Sequence, residues 1–214
     1  MLGQPLDLEN DIVVTEHTRP HWAQAGTITF ITMRTHDSIP QSTIRTWERE
    51  KRDWMRRRGI EAHWSEALPL LSKTEQKAFQ RHFNRCREEL LDQHLGRCWL
   101  RARKYAQIVA DALLYFDGER YTMGDFIVMP NHVHLLCAFF DPERMRKHIR
   151  SWLSYTARRI NKLIGRRGKF WQDEPFDHLV RNERQYEYLR SYIKDNPIKA
   201  GLHPDEALYR RYPH

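Results

Sequence analysis

With 214 residues and 36 Lys and Arg against 28 Asp and Glu, for a formal charge of +8, the chain is long enough for one domain with a sizeable core. Aromatic residues make up 12% of it and Gly and Pro are few, which excludes a wholly disordered or fibrous chain. The basic balance suits a polyanionic partner, nucleic acid before membrane, or only a soluble basic surface.

Cys86, Cys98 and Cys137 are the three cysteines, with no CxxC; neither a disulfide framework nor a zinc knuckle is indicated. The start "MLGQPLDLENDIVV" lacks the pattern of a secretory leader, and no apolar run approaches spanning length. A cytoplasmic protein without a membrane partner is expected.

The first clear element is "GTITFITMR" (26–34), whose alternation predicts a strand. From residue 36 to 97 the texture becomes charged and helical. "STIRTWEREKRDWMRRRG" (42–59) predicts a helix with Ser42 as N-cap and Gly59 as stop. "SKTEQKAFQRHFNRCREELLDQHLG" (72–96) opens with a Ser72-x-x-Glu75 capping box. Its Phe79, Phe83, Cys86 and Leu90 recur at helical spacing, and Gly96 follows the last turn. Residues 36–97 are therefore expected to form a helical insertion within a single domain spanning 1–214.

"RKYAQIVADALLYF" (103–116) predicts an amphipathic helix, with Ile108, Val109, Ala112 and Leu113 inward. "RYTMGDFIVM" (120–129) and "HVHLLCAFF" (132–140) predict a tight antiparallel hairpin through Pro130-Asn131. Residues 142–164 predict a long helix with Met145, Ile149, Trp152, Leu153, Ile160, Leu163 and Ile164 buried. "FDHLVR" (176–181) reads as a short strand. "NERQYEYLRSYIKDNP" (182–197) reads as a last helix, capped by Asn182 and halted by Pro197. The order β, insertion, α, β, β, α, β, α predicts an α+β fold: an antiparallel sheet with helices on one face, resembling the ferredoxin-like class.

"VMPNHVHLL" (128–136) carries the first chemical signal. Positions i and i+2 of a strand share a face, with Cα atoms about 6.5–7 Å apart. His132 and His134 can thus converge on one metal ion; the ordinary alternative is a pair of surface or capped histidines. A catalytic metal needs a further protein ligand and an open position. Tyr192 and Asn196 stand at i and i+4 on one face of the last helix. An amide oxygen suits a hard cation such as Mg²⁺ or Mn²⁺, and a phenol can attack phosphorus. The alternative here is a half-buried packing tyrosine and an asparagine that stops a helix.

Taken together, these stretches resemble a known family. "VMPNHVHLL" is similar to the histidine–hydrophobic–histidine motif of the single-tyrosine HUH transposases of the IS200-like group. "YLRSYIKDNPIKAGL" (188–202) resembles their tyrosine helix, YI-x-x-NP-[VI]-[KR]-A-GL. "GRCWLR" (96–101), "DALLYFDGERY" (111–121) and "FWQDEPFDHLVRNERQ" (170–185) resemble the REP-associated tyrosine transposases. The likeness covers roughly 96–202 closely and the first strand loosely; the insertion matches least.

The resemblance implies that His132, His134 and Asn196 bind a divalent metal, Mg²⁺ or Mn²⁺, and that Tyr192 is the nucleophile. It implies an endonuclease and transposase acting on single-stranded or hairpin DNA at REP-like palindromes, through a 5′-phosphotyrosine and a free 3′-hydroxyl. It implies a bacterial, nucleoid-associated protein, with monomer and homodimer both open. His178 is a candidate orienting group. Arg158, Arg159, Lys162, Arg166, Arg167 and Lys169 form a candidate phosphate-tracking tract, against the alternative of a solvated helix face. Trp171 is expected in the core rather than on DNA, and Arg56, Arg57 and Arg58 are a further candidate grip on a hairpin stem. The principal rival is a non-catalytic hairpin-binding module on the same fold; a hydrolase in which water attacks is the other.

Overall fold

The computed structural model describes residues 2–15 and 21–212. It divides the chain into two compact units, one formed by the segments up to His36 and from Cys98 onward, the other by Asp37–Arg97.

In chain order the strands are β1 (Val13–Thr15), β2 (His21–Ala23), β3 (Ile28–Arg34), β4 (Tyr121–Val128), β5 (His132–Phe139), β6 (Phe176–Leu179) and β7 (Leu208–Arg210). The main helices are α1 (Gln41–Arg56), α2 (Trp64–Ala67), α3 (Lys73–Leu91), α4 (Arg103–Leu114), α5 (Met145–Leu163) and α6 (Glu183–Lys199). The first unit is built on a five-stranded sheet in the order β6-β3-β5-β4-β7, antiparallel throughout. β1 and β2 pair separately.

The expected hairpin is the centre of this sheet. Met129 N–H donates to His132 O at 2.8 Å, so the turn holds Pro130 and Asn131, as the sequence predicts. Alternation along β5 then sorts its side chains. Val133, Leu135, Cys137 and Phe139 enter one core with Val109 and Leu113 of α4 and Ile149 and Trp152 of α5. Leu136 enters a second core with Phe30, Ile127, Tyr186, Leu189 and Ile193. Burying each such side chain contributes about 1.5–3 kcal/mol, and β5, flanked on both edges and covered on both faces, is buried along its whole length. The α+β class and antiparallel sheet are as expected. Helices on one face is too narrow a description: α4 and α5 share a face, and α6 packs on the other, because its Tyr186–Leu189–Ile193 stripe covers the even-numbered positions of β3 and β5.

Three local expectations change. Ser42 is not the N-cap of α1; Pro40 is, without a side-chain cap bond. Its φ of −59° is the value the proline ring imposes, which suits the helix entrance. Leu163 is exposed, since it lies in the final turn of α5, beyond Ile160, the last fully buried position of the stripe. Pro197 does not stop α6, which runs on to Lys199. The stop is Gly201 at φ +64°: Leu202 N–H donates to Pro197 O and Gly201 N–H to Ile198 O, the paired bonds of a Schellman close. Trp171 is in the core as expected, its Nε1 donating to Thr156 Oγ1 at 2.9 Å.

β4 carries a bulge between Met123 and Phe126. A Cβ on Gly124 would stand 2.6 Å from Leu2 Cδ2 and 2.9 Å from Leu136 O, so the close approach of chain there requires glycine.

The second unit has its own core of Met55, Ala67 and Phe79, with Trp54, Trp64 and Phe83 around it. The Ser72–Glu75 capping box forms at the start of α3. Arg97 N–H donates to Asp37 Oδ2 at 3.0 Å, and a Cβ on Gly96 would meet Asp37 O at 2.6 Å, so the two ends of this unit touch. Among the described residues no helix is long and apolar enough to cross a membrane.

Candidate active site

The site forms where α6 crosses β3 and β5. Opposed residues of an antiparallel ladder share a face, and Thr32 pairs with His134 while Arg34 pairs with His132. Thr32, Arg34, His132 and His134 are therefore on the α6 side. Both histidines are fully buried. Their ring centroids are 4.7 Å apart, so the i, i+2 spacing brings the imidazoles together as geometry requires.

Each ring is held at Nδ1. Asn131 Oδ1 lies 2.7 Å from Nδ1 of His132; an amide oxygen only accepts, so Nδ1 is the donor of this pair. Thr32 Oγ1 lies 2.8 Å from Nδ1 of His134, and Nε2 of that ring faces α6. Tyr192 Oη is 3.4 Å from His134 Nε2, with ring centroids 5.2 Å apart. Phe30 supplies the floor, its centroid 5.5 Å from His134 and 6.1 Å from Tyr192.

Asn196, one turn after Tyr192, is 1% exposed. Among the described residues its Oδ1 meets no hydrogen-bond partner. A buried acceptor left so costs about 1–3 kcal/mol, which a cation would relieve. Among the described residues no group of three or more His, Cys, Asp or Glu is arranged to hold a metal; two imidazoles and an amide oxygen are a donor set of another kind, and they fit a divalent cation by chemistry and by the anchoring of His132 and His134 through Nδ1.

His178 lies on β6 opposite Phe30, on the same face. Its ring packs 5.3 Å from that of Phe30, and its Nε2 is 3.3 Å from Gln185 Nε2 on α6. The basic tract lies apart from the histidines, on α5 and the loop after it. Arg158, Arg159, Lys162, Arg167 and Lys169 are exposed and Arg166 is half-buried; Arg166 Nη2 donates to Lys169 O, and Lys169 Nζ pairs with Asp173 at 2.6 Å. Three residues beyond Lys169 the chain rejoins the sheet, where Gln172 N–H donates to Arg34 O at 3.0 Å. Arg56, Arg57 and Arg58 belong to the other unit.

Two residues escape a reading by motif. Arg34 is placed beside His132 by register alone, and the only signal is the alternation Thr32-x-Arg34. Asp125, buried in the β4 bulge, is the other. Its Oδ2 accepts from Arg190 Nε at 3.3 Å and Tyr209 Oη at 3.1 Å, and its Oδ1 from Tyr212 N–H at 2.7 Å. This carboxylate ties α6 and the C-terminal strand to the sheet. Burial weighs most against the Arg190 charge, yet the combined pull of Asp125, Tyr186 and Glu187 holds its pKa above the ordinary value. Burial, then Asp125, pushes the Tyr209 phenol up to about 12.

Residues 103–196 match the family described as "Transposase IS200 like". The match spans a little less than half of the chain. The IS200-like match runs from the first residue of α4 to Asn196 and so contains His132, His134, Tyr192 and Asn196. The solved "Structure of the REP associates tyrosine transposase bound to a REP hairpin" is similar over 88% of this chain and 76% of that chain, at 14% identity and a TM-score of 0.46. No curated protein matches.

Proposed function

We propose that this protein is a metal-dependent transposase that cleaves and rejoins single-stranded DNA beside palindromic hairpins through a 5′-phosphotyrosine. The observation that carries the reading is the 3.4 Å approach of Tyr192 Oη to His134 Nε2, in a site floored by an aromatic ring and walled by a second buried imidazole.

Tyr192 Oη attacks the scissile phosphorus; the bond from phosphorus to the 3′-oxygen breaks; the phenol loses its proton and the departing 3′-oxygen gains one. The phosphodiester is conserved in the protein–DNA link, so a 3′-hydroxyl reverses the step without a nucleotide triphosphate. His132, His134 and Asn196 would hold a divalent cation, Mg²⁺ or Mn²⁺, which supplies charge that polarises the phosphate. Asn131 and Thr32 hold the two imidazoles in place. Packing of α6 on the sheet sets the phenol beside the site before substrate arrives, which lowers the entropic part of the barrier. His178 steadies α6 through Gln185. The tract from Arg158 to Lys169 tracks backbone phosphates.

The test mixes protein with labelled single-stranded hairpins and Mg²⁺ or Mn²⁺, then separates the products under denaturing conditions. A covalent protein–DNA adduct is expected, lost in Tyr192→Phe with hairpin binding retained, and lost in His132→Ala. Cut DNA with no protein attached would assign attack to water. Binding without cleavage or adduct in the parent would make the protein a hairpin-binding module.

A further inference from the structure

The flank of α6 that carries Tyr192 continues beyond the nucleophile. Gln185, Tyr188, Tyr192, Asn196 and Lys199 follow one another at spacings of three or four residues, which is a single helix face. Extension of α6 past Pro197 brings Lys199 onto it. Tyr188 is 64% exposed, and its ring lies 6.4 Å from that of Tyr192 at an interplanar angle of 22°. On the other side of the nucleophile, the exposed Lys199 places Nζ 5.4 Å from the Tyr192 ring centroid.

A large aromatic face left in water beside the reacting phenol has a natural occupant. A base that is unpaired offers a π-face of matching size, whereas a base inside a duplex has both faces covered. An ammonium on the opposite side offers charge to a backbone phosphate. From Tyr188 to Lys199 the helix rises about 16 Å, the length of a few nucleotides of single strand. Along the same flank Gln185 meets His178 and Asn196 is buried, so Tyr188 and Lys199 are the members that face the solvent on either side of Tyr192.

Resting on the reading above, we propose that this flank of α6 is the seat for the single strand adjoining the scissile phosphate. Tyr188 stacks on an unpaired base to one side of Tyr192, and Lys199 neutralises a phosphate to the other. Both are positioning residues: they fix which phosphate stands before the phenol, and so where the strand is cut relative to the hairpin.

The experiment reads binding, not cleavage. In the Tyr192→Phe protein without metal, a DNA hairpin carrying 2-aminopurine at successive positions of its single-stranded flank is titrated at several salt concentrations. One position is expected to show stacking quench. Tyr188→Ala should abolish that quench and weaken binding roughly 5-fold to 150-fold, while Tyr188→Phe and Tyr188→Trp keep both. Lys199→Gln should lower the slope of log affinity against log salt by about one, and Lys199→Arg should restore it. If Tyr188→Ala leaves quench and affinity unchanged, or Lys199→Gln leaves the salt slope unchanged, the seat is not there. Because neither readout needs an adduct, a quench that follows Tyr188 in a protein that never forms one would sink the nucleophile reading and keep this one; adduct formation at parental rate, site and affinity in Tyr188→Ala would do the reverse.

Discussion

Asp125→Ala is the most informative single change away from the histidines. Asp125 is 2% exposed and accepts three hydrogen bonds, from Arg190 Nε, Tyr209 Oη and Tyr212 N–H. Its ion-pair partner Arg190 has only 13% of its side chain exposed. Removing one member of a buried pair costs about 3–5 kcal/mol, because the other charge is left in a poorly solvated place. Arg190 keeps some water and Glu187 at 3.4 Å, which puts the expected loss at the lower end, about 3 kcal/mol. For a chain of this size that lowers Tm by roughly 6–12 °C. Asp125→Asn keeps an acceptor for Tyr212 N–H and should lose less. Hydrogen exchange should locate the effect: amides of α6 and β7 exchange faster in the variant, while those of α3 do not change. A Tm within 2 °C of the parent, or loosening spread evenly over the chain, would refute the view that this carboxylate anchors the tyrosine helix.

Two other outcomes follow from the same packing. Gly124→Ala drives a methyl group to within 2.6 Å of Leu2 Cδ2 and 2.9 Å of Leu136 O; overpacking of this kind costs about 1–3 kcal/mol, read as a lower urea midpoint, and an unchanged midpoint would contradict the contact. Tyr121 and Tyr209 are both pushed up to about 12, by burial first, against about 10 in an unfolded chain. Below about pH 10 their contribution to stability is fully present; between about 10 and 12 the unfolded chain releases protons that the folded one still holds, so stability falls as pH rises. Urea midpoints that stay level from pH 9 to pH 11.5 would count against both assignments.

Legibility in the sequence followed the range of the interactions involved. The β4–β5 hairpin was readable because alternation over eight residues and a Pro-Asn turn are local. So was the capping box at Ser72, whose partners are three residues apart. β1, β2 and β7 are three residues each, too short to show a period, and they exist only because a neighbour offers an edge. Asp125 read as an ordinary strand residue; its partners lie 65 to 87 residues away. His132, His134, Tyr192 and Asn196 stood out as residue types at fixed spacings, but the approach of Tyr192 to His134 depends on which sheet face α6 covers. Lys199 was hidden by a local rule that failed: proline should have ended the helix two residues earlier, yet α6 runs on to Lys199, with Ala200 N–H still donating to Asn196 O.

The clasp between Asp37 and Arg97 has a bearing on how such a chain can change over time. The segment from Asp37 to Arg97 begins and ends at hydrogen-bonded neighbours, so its own length does not set the distance between its ends. Ring-closure entropy grows only with the logarithm of the number of residues enclosed, so lengthening or trimming the segment between these two residues costs little in closure.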